Sequence, residues 1–202
     1  MQYRRLGRTG LQVSCIGLGG IPIQRVDQAE AVRVVRAALD SGVNFIDTAR
    51  GYTDSEEKIG RALEGVKREE VILATKSTSR SREGILRDID KSLSLLKVDY
   101  IDLYQMHNVK TEEELKKVTG PDGALEGLRK AQEQGKIRYI GVSSHTRENL
   151  EKMMPMGIVD TIQVPFNAVE KDTADRLFPL AQQHDVGFIA MKPLAGGALT
   201  HA

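Results

Sequence analysis

Short apolar runs alternate with amphipathic stretches along nearly the whole chain. The runs at residues 14–19, 44–47, 71–76, 100–107, 137–143, 161–165 and 187–192 are too short for buried helices and predict buried strands. Between them the apolar positions recur with helical spacing, predicting helices over residues 27–39, 55–63, 82–96, 123–134, 147–154 and 174–184. Asp27 is placed to cap the first helix, whose buried stripe reads Ala31, Val34, Val35 and Ala38. Ile85, Ile89, Leu93 and Leu96 form the equivalent stripe of the third, and Gly135 stops the fourth. The charged stretch 111–118 reads as a solvated helix face with Glu113 and Lys117 four residues apart. Met153, Met154 and Met156 read as core or helix-end packing. Ahead of all this, residues 3–6 and 11–13 flank a glycine-bounded turn, the pattern of a hairpin.

Strands alternating with amphipathic helices are the signature of parallel βα units. Seven such strands after a hairpin predict an α/β fold, a (β/α)8 TIM-type barrel whose last βα unit is missing, formed by residues 1–202 as a single domain without a linker. The alternative, an open doubly wound sheet, would carry a glycine fingerprint after its first strand. Gly17-Leu18-Gly19-Gly20-Ile21-Pro22 lacks the third glycine of that pattern.

Composition narrows the function classes. Of 202 residues, 28% are charged and 40% hydrophobic, the balance of a globular protein. A formal net charge of +1 gives no global field for nucleic acid or an anionic membrane, so neither is expected as a partner. No apolar run approaches the roughly 20 residues of a membrane span, and the N-terminus lacks a signal-peptide core. Cys15, the single cysteine, forms no internal disulfide and reads as a buried thiol in an apolar run. A cytoplasmic protein is the default expectation. His107, His145, His184 and His201 form no ligand-spaced pair, so no metal site is expected.

The candidate chemistry lies at the strand ends. Gly19 and Gly20, Asp47 with Tyr52, Lys76, His107, Ser143 with Ser144, Gln163, and Lys192 each follow a strand, and in a barrel these ends converge on the face that carries the active site. Singly, each has an ordinary explanation: Asp47 as a cap, Lys76 as a solvent-seeking cation, His107 as a satisfied core imidazole. Together they place an acid, a phenol, a cation and an imidazole in one mouth, where charges need partners. Lys76 is expected to lower the pKa of Tyr52, Asp47 to hold Lys76, and His107 to orient the oxygen that Tyr52 protonates. None of them donates hydride, so a reduction needs a cofactor.

These stretches resemble the aldo-keto reductase family. The resemblance rests on Asp47-Thr48-Ala49-Arg50-Gly51-Tyr52, Leu73-Ala74-Thr75-Lys76, Asp102-Leu103-Tyr104-Gln105-Met106-His107, Ile140-Gly141-Val142-Ser143-Ser144, Gln163-Val164-Pro165-Phe166-Asn167 and Lys192-Pro193-Leu194-Ala195-Gly196-Gly197, in the family's order over nearly the whole chain. It implies a (β/α)8 barrel that reduces small-molecule aldehydes or ketones with NADPH, or with NADH. Asp47, Tyr52, Lys76 and His107 are then the catalytic residues. Ser143, Ser144 and Gln163 hold the nicotinamide carboxamide, Phe166 lies against the ring, and Leu194, Ala195 and Gly196 run along the pyrophosphate. Two positions depart from the commoner family residues, Ser144 for asparagine and Phe166 for tyrosine.

The larger departure is length. The family continues with an eighth strand and the basic residues that grip the adenosine 2′-phosphate, and the tail through Ala202 reads as a loop cut mid-course. A fragment of a longer protein is therefore expected over a naturally short member. An iron–sulfur cluster, found in a C-terminal segment of some longer relatives, would belong only to such a missing part. Open first and seventh strands would favour a homo-oligomer joined through the barrel edges. The rival to an active reductase is a non-catalytic cofactor-binding module or an inactive fragment.

Overall fold

The computed structural model describes residues 1–200. His201 and Ala202, part of the tail discussed above, lie outside them. The chain opens with a hairpin of β1 (Tyr3–Arg5) and β2 (Gln12–Ser14), antiparallel, with a 3-10 turn between them. A parallel sheet of seven strands follows in sequential order: β3 (Leu18–Gly19), β4 (Phe45–Asp47), β5 (Ile72–Ser77), β6 (Ile101–Met106), β7 (Ile137–Ser143), β8 (Thr161–Pro165) and β9 (Gly187–Met191). The helices α1 (Gln28–Asp40), α2 (Ser55–Ala62), α3 (Arg82–Leu96), α4 (Glu112–Thr119), α5 (Ala124–Glu133), α6 (Glu148–Met153) and α7 (Asp172–Gln183) join them. This is the expected barrel architecture with β3 and β9 left as edges.

Period-two alternation sorts each strand into two faces. Ile46, Leu73, Tyr104, Met106, Val142, Ile162 and Val164 face outward and pack with Ile59, Ile85, Ile89, Leu128, Leu150 and Leu177 of the helix layer. Phe45, Ile72, Ala74 and Leu103 face inward and meet Tyr139 and Ile189, together with Leu11 and Val13 of the hairpin. The hairpin therefore plugs the N-terminal end of the sheet, and the polar strand ends stay at the opposite mouth.

Local signals explain the helix limits. Asp27 and Ser81 cap α1 and α3 by accepting from Glu30 N and Gly84 N. Thr111 and Glu114 form a capping box on α4. That helix is amphipathic rather than only a solvated face, because Leu115 and Val118 are buried. Its ion pair joins Glu112 to Lys152 across to α6. Met153 and Met154 are fully buried, whereas Met156 is exposed.

Three expectations need correction. The first barrel strand is only Leu18–Gly19, because Ser14 belongs to the hairpin and its hydroxyl donates to Ile16 O, bending the chain between the two. Cys15 stands on that bend and is exposed, not buried. Val34 is also exposed, since the face of α1 that meets the core is centred on Ala31 and Val35.

The hairpin also fastens the two ends of the sheet. Arg5 makes a bidentate pair with Asp185 at 2.7 and 2.9 Å, and Arg8 N donates to Asp185 O at 2.6 Å. Gly7, with φ +51°, lies so close to the start of β9 that a Cβ would stand 2.2 Å from Gly187 N. Gly10 has φ +69° but open space around it. Gly7→Ala is expected to destabilise by about 3 kcal/mol through overpacking and backbone strain together. Gly10→Ala should cost only about 1 kcal/mol, the backbone part alone. Urea midpoints of the two variants measure the difference.

Candidate active site

The mouth is built from the C-terminal ends of β4, β5, β6, β7 and β8. Register places Asp47 beside Ala74, Lys76 beside Gln105, and Ser143 beside Gln163. Lys76 is almost wholly buried, and its Nζ donates to Asp47 Oδ2 at 2.6 Å and to Thr48 O at 2.8 Å. A buried ammonium without such partners would shed its proton. Tyr52 comes from the loop after β4, and Lys76 Nζ lies 5.2 Å from its ring centroid. His107, just past β6, meets that ring edge-on at 6.0 Å between centroids. Asp47, Tyr52, Lys76 and His107 are thus brought together.

Their electrostatics differ from the expectation in one respect. The Tyr52 phenol is pushed up to about 12, first by desolvation and then by the Asp47 carboxylate, not lowered by Lys76. Burial of the phenol is the larger cause, and the nearby Asp47 carboxylate adds to it. His107 is pushed down to about 4, by burial first and the Lys76 charge second, so its imidazole is neutral. The unfolded chain binds a proton at His107 near the usual 6.5, so the folded state binds fewer between these values. This contribution to stability is present above the unfolded value and is lost as pH falls toward 4.

The loop bearing Tyr52 is anchored from behind the sheet. Arg50 pairs with Glu56, which is 1% exposed, at the start of α2. Glu56 Oε1 also accepts from Thr75 Oγ1 and Ser92 Oγ, each at 2.7 Å. Tyr52 N donates to Ala49 O and Ser55 N to Tyr52 O, closing the turn. Sequence reasoning passed over Glu56, although an acid three residues before Ile59 on the buried face of α2 was a visible signal.

Other expected contacts are placed differently. Gly20 is buried, and a Cβ there would stand 2.6 Å from Ser55 Oγ, so its bare backbone lets the start of α2 pack closely. Gly19 has open space and remains at the mouth. Ser144 is fully buried, and its Oγ accepts from Thr146 N at 3.1 Å, within the loop that follows the strand. Phe166 packs edge-on with Phe178 of α7 at 4.9 Å and with Phe188 at 6.3 Å. Phe188 is on the outward face of β9, so the Phe166 ring is on the helix side, beside an open hollow of about 640 Å³ bordered by Lys171, Ala190 and Pro193. Ser143 accepts from Asn108 N at 3.0 Å, leaving its O–H free to donate. Gln163 Nε2 donates to Asp47 Oδ2 at 3.1 Å. Lys192, Leu194 and Gly196 are exposed on the loop after β9, and Ala195 N donates back to Lys192 O at 2.9 Å. Met191, in register with Pro165 at the end of β9, was not singled out, although alternation from Ile189 assigns it to the inner face. Among the described residues no cluster of metal-ligating side chains occurs, and no helix is long and apolar enough to cross a membrane.

Two measurements follow from this geometry. Glu56→Ala strands Arg50 behind the sheet and is expected to cost about 3 kcal/mol, the low end for a broken buried pair because Arg50 keeps partial access to solvent; chemical denaturation measures it. The His107 ring resonances should titrate near pH 4 in an NMR series, well below an unburied histidine.

Comparison with known proteins places the chain in a family. Residues 15–202 match the Aldo/keto reductase family. Aldo-keto reductase YhdN of Bacillus subtilis is 33% identical over 99% of this chain and 64% of its own length. L-galactose dehydrogenase of Arabidopsis thaliana is 33% identical over 99% of this chain and 67% of its own. In three dimensions, aldo-keto reductase AKR11C1 from Bacillus halodurans, in its holo form, superposes with a TM-score of 0.86 at 30% identity, covering 98% of this chain and 68% of that one. The chain therefore spans about two thirds of the length of these relatives, and on a match of this extent it belongs to the aldo/keto reductase family.

Proposed function

We propose that this chain carries the catalytic centre of an NAD(P)H-dependent oxidoreductase that reduces aldehydes or ketones to alcohols, in one domain, with Tyr52 as general acid. The observation that supports it most is the convergence of Tyr52, the Lys76–Asp47 pair and His107 at the sheet's polar mouth.

The residues present fit a nicotinamide cofactor by their donor set. Gln163 uses one N–H on Asp47 and accepts once at Oε1, which leaves one N–H and one lone pair for a primary carboxamide. Ser143 adds a free hydroxyl proton. When bound, NADPH or NADH supplies the hydride that adds to the carbonyl carbon. Leu194, Ala195 and Gly196 are the backbone expected beside its pyrophosphate.

The protein's own part is proton delivery. His107, neutral, donates a hydrogen bond to the carbonyl oxygen and fixes its orientation. As negative charge builds on that oxygen, the Tyr52 Oη proton moves to it and the alcohol is complete. A phenol held at about 12 keeps its proton through the neutral range yet remains far more acidic than an alkoxide's conjugate acid. The phenolate then faces the Lys76 ammonium, which Asp47 holds in place, until water returns the proton. Burial keeps Lys76 from reaching the substrate itself.

Tyr52→Phe is expected to reduce carbonyl turnover by about 10²–10⁴-fold while leaving cofactor affinity nearly unchanged. Steady-state kinetics over a panel of aldehydes and ketones, paired with cofactor titration, separates the two effects. An unchanged kcat with chemistry rate-limiting would remove Tyr52 from the role, and cofactor binding without turnover of any carbonyl would assign a binding module instead.

A further inference from the structure

Gln105 lies on the inward face of β6, fully buried, in register with Lys76 on one side and Gly141 on the other. Its Nε2 donates to Asp47 Oδ1 at 3.1 Å and to Gln163 Oε1 at 3.2 Å. Gln163 Nε2 in turn donates to Asp47 Oδ2, the oxygen that also takes Lys76. The circuit has only one consistent orientation. An ionised carboxylate can only accept, so both amide nitrogens turn toward Asp47. Gln163 Oε1 is then left facing the second N–H of Gln105.

The neighbouring strand makes room for this arrangement. A Cβ at Gly141 would stand 2.9 Å from Gln105 Cγ and 2.4 Å from Thr161 Oγ1. A glycine inside a strand weakens it, and here it marks the close approach of the Gln105 side chain. Gln105 Oε1 has no hydrogen-bond partner among the described residues, so the side chain's polar contacts are all made through Nε2.

We propose that Gln105 is a positioning residue that presets the Gln163 carboxamide for the cofactor and ties that setting to the ionised state of Asp47. The inference rests on the reading of Gln163 as a contact of the nicotinamide carboxamide. Without Gln105, the Gln163 oxygen loses its interior partner, and only the bond from Nε2 to Asp47 Oδ2 still holds the amide. The donor and acceptor that it shows to a ligand are then held at one point instead of two.

The test is a double-mutant cycle on the full chain, read by calorimetric titration with NADP⁺. Gln105→Met keeps the length of the side chain and removes its donors; it should weaken NADP⁺ binding by about 3- to 10-fold, the range of a neutral hydrogen bond. In the Gln163→Met background the same change should alter affinity less than about 2-fold, because the coupled partner is gone. Equal losses in both backgrounds, or none in the first, would overturn the role of Gln105 alone. A Gln163→Met variant that binds NADP⁺ as well as the parent would instead remove the reading of Gln163 and the proposal with it. Gln105→Glu supplies a readout that packing alone would not move. Its carboxyl donates only when protonated, and Asp47 beside it favours the protonated form. Affinity for NADP⁺ in that variant should therefore recover as pH falls, and a pH-independent affinity would count against the proposal.

Discussion

The ion pair between Lys76 and Asp47 governs the mouth of this sheet. Neither group could stay charged there alone, since transfer of a bare ammonium or carboxylate from water is too unfavourable. Its surroundings satisfy what the pair leaves over. Thr48 O takes a further proton of Lys76, while Gln105 and Gln163 supply N–H groups to both oxygens of Asp47. Almost every inward polar side chain near the end of the central strands is therefore committed to one network. What remains outside it, the Tyr52 phenol and the His107 imidazole, is held neutral by burial. The division is between a charged interior that fixes geometry and neutral groups that meet a ligand.

A second polar network lies on the opposite side of the same strands. Glu56 gathers Arg50, Thr75 and Ser92 between the sheet and the helices. Thr75 and Lys76 are adjacent in β5 and point to opposite faces, so one strand carries both networks. The Tyr52 loop is consequently gripped on either side: Arg50 N donates to Lys76 O, and the Arg50 side chain reaches back to Glu56. A rigid strand end and a doubly anchored loop are the means by which the fold holds the phenol against the imidazole.

Much of this was legible in the sequence, and the misses have physical causes. The strand runs and the helix stripes followed from periodicity, because buried parallel strands leave a strong local pattern, and Asp47, Tyr52, Lys76 and His107 were marked by their places at or just after strand ends. The direction of the Tyr52 shift did not, since it depends first on how deeply the phenol is buried and then on the Asp47 carboxylate near it, neither of which composition shows. Ser144 and Phe166 stand two residues beyond the outward-facing Val142 and Val164, so alternation carried past the strand ends could have shown that they lie on the helix side. Gln105 shares the inward face of β6 with Leu103 and the approach to His107, so period two could have found it. Cys15 and Ile16 show the converse, an apolar run that is exposed because the chain bends between two sheets.

The hairpin joins residues far apart in the chain, through Arg5 with Asp185 and Gly7 against Gly187. During synthesis the N-terminal segment emerges first, at roughly 5–20 residues per second, yet its docking surface on β9 does not exist until some 180 residues later. The contacts of Arg5 and Gly7 with β9 are thus obliged to form after that strand has been made. Leu11 and Val13, by contrast, meet Phe45, Ile72, Ala74 and Leu103 of earlier strands, so the hairpin's apolar side has an interior to enter before its polar side has a partner.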